Sequence, residues 1–252
     1  MDLGLAGRRV IVTGGTSGIG LAVARLFAGE QAKVALTYRN QREAAERLAA
    51  EFGGPGQAMA LRCALDEPGS AEQAVAAADR AWGGLDVVVA NAFCRGPRRP
   101  PGMPAESVSP GAWRGLVQAN LCETMATVLT ALPGMRERHW GRVVLISSHI
   151  AHDGAPGQEF YGAAKAALHG FARSLAWDTG PDGVLVNVVC PGLTATEGVL
   201  TDLPPAIRER ETTRTATGQL STPADVAAAV VFLCSEANGN ISGEALTVAG
   251  GR

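Results

Sequence analysis

Seven short apolar runs, each followed by a longer stretch with helical spacing, constrain the fold of this chain more than any other feature. Val10–Thr13, Lys33–Thr37, Gln57–Leu61, Leu85–Ala90, Arg142–Ser147, Val184–Val189 and Ala245–Val248 read as strands. Gly18–Ala28, Gln41–Phe52, Ala71–Trp82, Ala112–Arg138, Gln158–Thr179 and Pro223–Ser235 read as helices. The strands are apolar throughout rather than alternating, as expected where helices cover both faces of a parallel sheet. The alternation therefore predicts an α/β doubly wound parallel sheet of about seven strands. No linker, repeat or shift in composition divides residues 1–252, so a single domain is expected. A chain of this size buries about three-quarters of its unfolded surface and needs no disulfide or metal as a staple.

Two stretches interrupt the alternation. Phe93–Gly111 carries Pro97, Pro100, Pro101, Pro104 and Pro110 together with Arg95, Arg98 and Arg99, and reads as an irregular loop. Thr194–Leu220 is polar, with Pro204, Pro205, Arg208, Arg210 and Arg214, and reads as a long structureless insertion. Such insertions in compact domains serve as binding loops or lids. Residues 93–111 are thus expected to be a substrate loop and residues 194–220 a lid.

Charge excludes some functions. The formal net charge is −2, so the whole chain carries no electrostatic footprint for nucleic acid. Its cations are nearly all arginine, with Lys33 and Lys165 the only lysines. Cys63, Cys94, Cys122, Cys190 and Cys234 form no C-x-x-C pair and no metal-ligand spacing with a histidine, which points to reduced thiols and no metal. No signal peptide opens the sequence, and its longest apolar run, Val226–Cys234, is far short of a membrane span. The expected location is the cytoplasm, with no membrane partner.

The first strand runs into Thr13-Gly14-Gly15-Thr16-Ser17-Gly18-Ile19-Gly20, and a helix follows. Glycines at a strand-to-helix junction let the backbone approach a pyrophosphate, which the free amides at the helix N-terminus then bind. Gly14, Thr16, Ser17, Gly18, Ile19 and Gly20 are therefore candidate cofactor contacts. The second strand ends Thr37-Tyr38-Arg39 with no acid at its tip. An acid there would accept from an NAD ribose and repel a 2′-phosphate, whereas a guanidinium holds that phosphate by charge-assisted hydrogen bonds. Arg39, with Thr37 and Tyr38 beside it, thus favours NADP(H). A solvated surface arginine is the alternative.

Tyr161-Gly-Ala-Ala-Lys165 is the sharpest catalytic signal. Residues four apart share a helix face, so the ammonium lies beside the phenol. A nearby cation lowers a phenol pKa from its usual value near ~10 and makes it a usable general acid or base. Ser148 precedes this pair by thirteen residues at the end of a strand.

Taken together, Thr13-Gly14-x-x-x-Gly18-x-Gly20, Ser148 and Tyr161-x-x-x-Lys165 resemble the short-chain dehydrogenase/reductase family, with its Rossmann-like sheet. Within it the chain is most similar to 3-oxoacyl-(acyl-carrier-protein) reductase-type ketoreductases. The resemblance implies that Ser148 orients a substrate carbonyl and Tyr161 gives it a proton as hydride arrives from the nicotinamide. It implies that Lys165 holds the nicotinamide ribose and lowers the Tyr161 pKa. Asn120 matches the residue that holds a water in a proton relay, or else simply bonds backbone. Asn91 and Ala92 match the adenosine-side wall, and Pro191, Gly192, Thr194 and Thr196 the stretch that holds the carboxamide. The family's usual Asn-Asn-Ala-Gly is here Ala90-Asn91-Ala92-Phe93, and Cys63 stands where an Asp often meets adenine, with Asp66 nearby.

Substrate identity is open. Arg95, Arg98 and Arg99 suit a carboxylate or phosphate on the substrate, or form a solvated basic loop. Arg136, Arg138 and His139 are candidates for docking a carrier protein, although the catalytic helix ends on the acidic Asp178 and Asp182. A fatty-acid intermediate and a specialised secondary-metabolite ketone fit equally. Reduction of a ketone or 3-oxoacyl thioester is the first reading, and an alcohol dehydrogenase or a non-catalytic NADP sensor are the others. His149 and His152 follow Ser148 without a ligand set around them. The resemblance also implies a homo-oligomer, a dimer or tetramer, through Ala112–Arg138 and Gln158–Thr179.

Overall fold

The structure, a computed structural model, describes residues 2–96, 99–100 and 102–252. Seven strands form one parallel sheet in the order β3-β2-β1-β4-β5-β6-β7. They are β1 (Arg9–Val12), β2 (Lys33–Tyr38), β3 (Ala58–Arg62), β4 (Val87–Ala90), β5 (Gly141–Ile146), β6 (Val184–Pro191) and β7 (Ala245–Val248). The helices are α1 (Gly18–Gly29), α2 (Arg42–Glu51), α3 (Ser70–Trp82), α4 (Pro110–Val117), α5 (Glu123–Glu137), α6 (Ile150–Asp153), α7 (Glu159–Thr179), α8 (Glu197–Asp202), α9 (Pro205–Thr213) and α10 (Pro223–Leu233). The α/β doubly wound expectation holds. Among the described residues no helix is long and apolar enough to cross a membrane.

Side chains alternate across each strand, so a wholly apolar strand feeds two cores at once. Ile11 and Val88 point to the face covered by α3, α5 and α7, where they join Val128, Leu132, Leu168 and Leu175. Val10, Val12, Val87 and Val89 point to the other face and meet Val23 and Phe27 of α1 and Val226 and Val230 of α10. The central strands are buried on both sides, which holds their carboxyl ends, and the loops that leave them, in fixed register.

Three segments differ from their sequence expectation. The single helix expected over residues 112–138 is broken by a π turn at Gln118–Cys122. Asn120 causes the break: its Nδ2 donates to Leu116 O at 2.9 Å and so takes a carbonyl from the regular ladder. Residues 194–220 are not structureless but hold α8 and α9. Pro205 sits at the first turn of α9, where a missing N–H costs nothing, so the proline pair opens a helix instead of preventing one. Residues 93–111 include a 3₁₀ turn at Ala105–Ser107, and Pro110 and Gly111 already belong to α4, whose N-cap Ser109 accepts from Ala112 N. Pro97, Arg98 and Pro101 lie outside the described residues.

Candidate active site

The sheet order reverses direction between β1 and β4, the place where open α/β sheets bind ligands. A cleft of about 910 Å³ opens there along the carboxyl ends of the strands. Its floor is the glycine loop. Gly18 has φ +53, a left-handed conformation that disfavours side chains, and a Cβ on Gly20 would lie 2.2 Å from Gly14 O. The N-terminus of α1 has no side-chain cap and no acid in its first turn, so its amides and positive dipole end are left for an anion. Thr13 Oγ1 accepts from Asn91 N and Ala92 N, both at 2.9 Å, and Asn91 Nδ2 donates to Thr13 O at 2.9 Å. The loops after β1 and β4 are thereby clamped together.

At the other end of the cleft stand Ser148, Tyr161 and Lys165. Tyr161 and Lys165 share the inner face of α7, and Lys165 Nζ is 5.9 Å from the Tyr161 ring centre. Burial pushes the Tyr161 phenol up to about 12, opposed by the adjacent Ser148 hydroxyl and, to a lesser degree, by the charge of Arg95. Lys165 is fully buried, donates to Ile146 O at 2.8 Å, and is pushed down to about 8 by desolvation. The expectation that Lys165 lowers the phenol pKa is therefore not met in this state: its ammonium is turned to a backbone carbonyl, and burial of the phenol outweighs every opposing charge. Ser147 and Ser148 separate cleanly. Ser147 Oγ donates to Lys165 O at 2.9 Å and meets His169 Nε2 at 2.9 Å, whereas Ser148 is the serine beside the phenol.

A family profile described as "Enoyl-(Acyl carrier protein) reductase" spans residues 14–252. Over 253 residues, 99% of this chain and 98% of the relative, the sequence is 33% identical to 3-oxoacyl-(acyl-carrier-protein) reductase FabG of Vibrio cholerae. The chain belongs to the short-chain dehydrogenase/reductase family. It is a short-chain oxidoreductase. An acetoacetyl-CoA reductase of Shinella zoogloeoides is 31% identical over 97% of this chain and 98% of its own length. A short chain dehydrogenase from Burkholderia cenocepacia, solved in complex with NADP, superposes with a TM-score of 0.85 at 32% identity over 98% of each chain.

Several expected site residues of this short-chain oxidoreductase have hydrogen-bond partners within the chain. Asn120 is wholly buried, and its amide donates to Cys94 O at 2.8 Å while its Oδ1 accepts from Cys94 N at 3.0 Å. A further bond to Leu116 O spends both hydrogens of its amide, so its side chain positions the loop after β4. Thr37 is buried and accepts from Gly14 N at 2.9 Å, which places it under the glycine loop and not at a 2′-phosphate. Thr196 lines the cleft but its hydroxyl caps α8 through Val199 N, and Thr194 Oγ1 donates to Gly192 O. Pro191 O accepts from His149 N and His149 Nδ1. Tyr38, Arg39, Thr16, Ser17, Ile19, Ala92 and Gly192 all line the cleft. Arg39 is half exposed and paired with Asp66 at 2.5 Å. Phe93 packs against the Tyr161 ring in a T-shaped arrangement, with centroids 6.3 Å apart.

Arg136 and Arg138 do not present a free basic surface. Arg136 pairs with Asp178 and Asp182, and Arg138 with Asp86. Two groups escaped the sequence reading because their members are far apart in the chain. His152, His169 and Cys190 place possible ligand atoms within 4.8 Å of one another, although His169 Nε2 already serves Ser147. Arg252 ties Glu211 of α9 to Asp153 of α6, fastening the 194–220 segment to the short helix after β5.

Proposed function

We propose that this short-chain oxidoreductase binds NADP(H) and reduces a ketone or 3-oxoacyl thioester to the alcohol, in one domain with substrate loop 93–111 and lid 194–220. The observation that carries the reading is Tyr161, a half-buried phenol held neutral beside Ser148 in a cleft of dinucleotide size. A neutral phenol is a proton donor, which suits reduction. The cradle fits the cofactor: the amides at Thr16, Ser17, Gly18 and Ile19, with Gly14 and Gly20 leaving the backbone open, suit a pyrophosphate, and Arg39 beside Tyr38 suits the 2′-phosphate. The NADP-bound relative supports the same choice. Asn91 and Ala92 wall the adenosine side, and Pro191, Gly192 and Thr194 the nicotinamide end.

When bound, NADPH supplies a hydride to the carbonyl carbon. Ser148 orients the carbonyl, and the Tyr161 hydroxyl gives its proton to the oxygen as the C–O double bond becomes single. The Lys165 ammonium stabilises the phenolate that remains until it regains a proton from solvent. One ketone, one hydride and one proton thus become one alcohol. The long helices α5 and α7 expose Leu129 and Trp177, and we assign them to self-association of the chain.

The test is loss of NADPH absorbance with acetoacetyl thioesters, diketones and bulky aromatic ketones, in wild type and Tyr161→Phe. NADPH is expected to outperform NADH. The phenylalanine variant should lose about 10²- to 10⁴-fold in kcat with NADPH affinity nearly unchanged. Equal turnover by the two proteins would end the assignment of Tyr161.

A further inference from the structure

We propose that Arg95 is an oxyanion anchor, so that the carbonyl substrate carries a carboxylate or phosphate group close to its reacting carbon. The inference rests on the reductase reading and names the substrate class of the same site. Of the three arginines in the proline-rich loop, Arg98 lies outside the described residues and Arg99 is committed to Glu159 at 2.5 Å. Arg95 lines the cleft and, among the described residues, pairs with no carboxylate. Most arginines of this chain do have such a partner, so a cation left without one inside the cleft stands apart.

Its position is fixed from both sides. Cys94, just before it, is gripped by Asn120 through two hydrogen bonds of 2.8 and 3.0 Å. Gly96, just after it, has φ +66 and lies so close to α4 that a Cβ there would sit 2.3 Å from Leu116 Cδ1. Further on, the Arg99–Glu159 pair ties the loop to the first turn of α7, the helix that carries Tyr161. Phe93, two residues before it, packs against the Tyr161 ring with centroids 6.3 Å apart, and the charge of Arg95 acts on the phenol. Phe93, Ile150, Leu193 and Leu203 give the same cleft apolar lining. A cation on a pinned backbone, in a partly apolar cleft that also holds the proton donor, suits an anionic head on a short apolar carbonyl compound.

Two matched substrate pairs test this with wild type, Arg95→Met and Arg95→Lys. The first is acetoacetate against its methyl ester. The second is 2-oxopropylphosphonate against its dimethyl ester. The ratio of kcat/KM, anion over neutral partner, should fall at least about tenfold in Arg95→Met for one pair, and Arg95→Lys should restore part of it. The affected pair tells whether the anion beside the carbonyl is a carboxylate or a phosphate-type group. An unchanged ratio in both pairs overturns the proposal, whatever happens to absolute rates. Calorimetric titration of NADP⁺-loaded protein with butanoate against butanamide gives a readout without turnover. A preference for butanoate that vanishes in Arg95→Met, in a protein that reduces no ketone, leaves the anchor standing and sinks the reductase reading. No preference in wild type, together with unchanged ratios, sinks the anchor.

Discussion

At the scale of single residues, the site is set by which groups burial forces to stay neutral and which it leaves charged. Lys165 shows this with a sign that can be measured. Desolvation brings its pKa from 10.5 to about 8 in the folded protein. Between these values the unfolded chain holds a proton that the folded chain has lost, so this group's contribution to stability rises with pH across that window. Below about 8 both states are protonated and the cost of burying the charge is felt in full. In urea denaturation, the stability of wild type minus that of Lys165→Met should therefore climb between pH 8 and 10.5, by ~3 kcal/mol at most. A flat difference would show that the ammonium is not desolvated. Arg39 gives a second prediction, because Asp66 neutralises it at 2.5 Å while both remain about half exposed. Arg39→Ala should weaken NADPH by at least about tenfold and barely touch NADH. Asp66→Asn should tighten NADPH about two- to fivefold by removing the competitor. Isothermal titration reads both, and equal losses for the two cofactors in Arg39→Ala would refute the 2′-phosphate assignment. The Tyr161–Lys165 pair was legible from sequence because a spacing of four on a helix fixes adjacency. The duty of Thr37 was not, since its bond to Gly14 N arises only when β2 pairs with β1.

Individual elements matter through the places where they depart from regularity. The π turn at Gln118–Cys122 exists so that one buried amide can hold the loop after β4. Asn120→Ala removes three hydrogen bonds and strands the backbone groups of Cys94, at a cost of about 3 kcal/mol. The loop with Phe93 and Arg95 then loses its anchor, so the variant should lose stability in thermal melts and also show a raised KM with a smaller change in kcat. A variant with wild-type melting temperature and KM would show that the turn is incidental. No periodicity announces such a turn, for the apolar pattern runs on through it. Residues 194–220 were likewise misread as structureless because two prolines look like breakers until Pro205 is seen at the first turn of α9. Arg99 could not be told from Arg95 in the sequence, because its partner Glu159 is sixty residues away in the chain.

For the whole molecule, the doubly wound sheet was fully legible, since apolar strands covered on both faces leave few other arrangements. The proposed self-association was legible only as long helices. The structure adds that Trp177 is 85% exposed and Leu129 48% exposed on those helices, an unfavourable display for an isolated monomer. Light scattering should give twice or four times the 25.9 kDa of the chain, and Trp177→Lys should shift it toward the monomer. A wild-type mass of one chain would refute the association. The strand order has a bearing on time as well as shape. Val10 finds Val34 across a short connection, but must wait for Val87 to arrive from much further along. The β1–β2–β3 half is therefore able to assemble before the β4–β7 half docks beside it, and loop closure makes that docking the slow step. The cleft lies on the seam between the halves. A ligand lying across it stitches an early-forming half to a late-forming one, so occupancy of the site also governs how rarely the molecule comes apart.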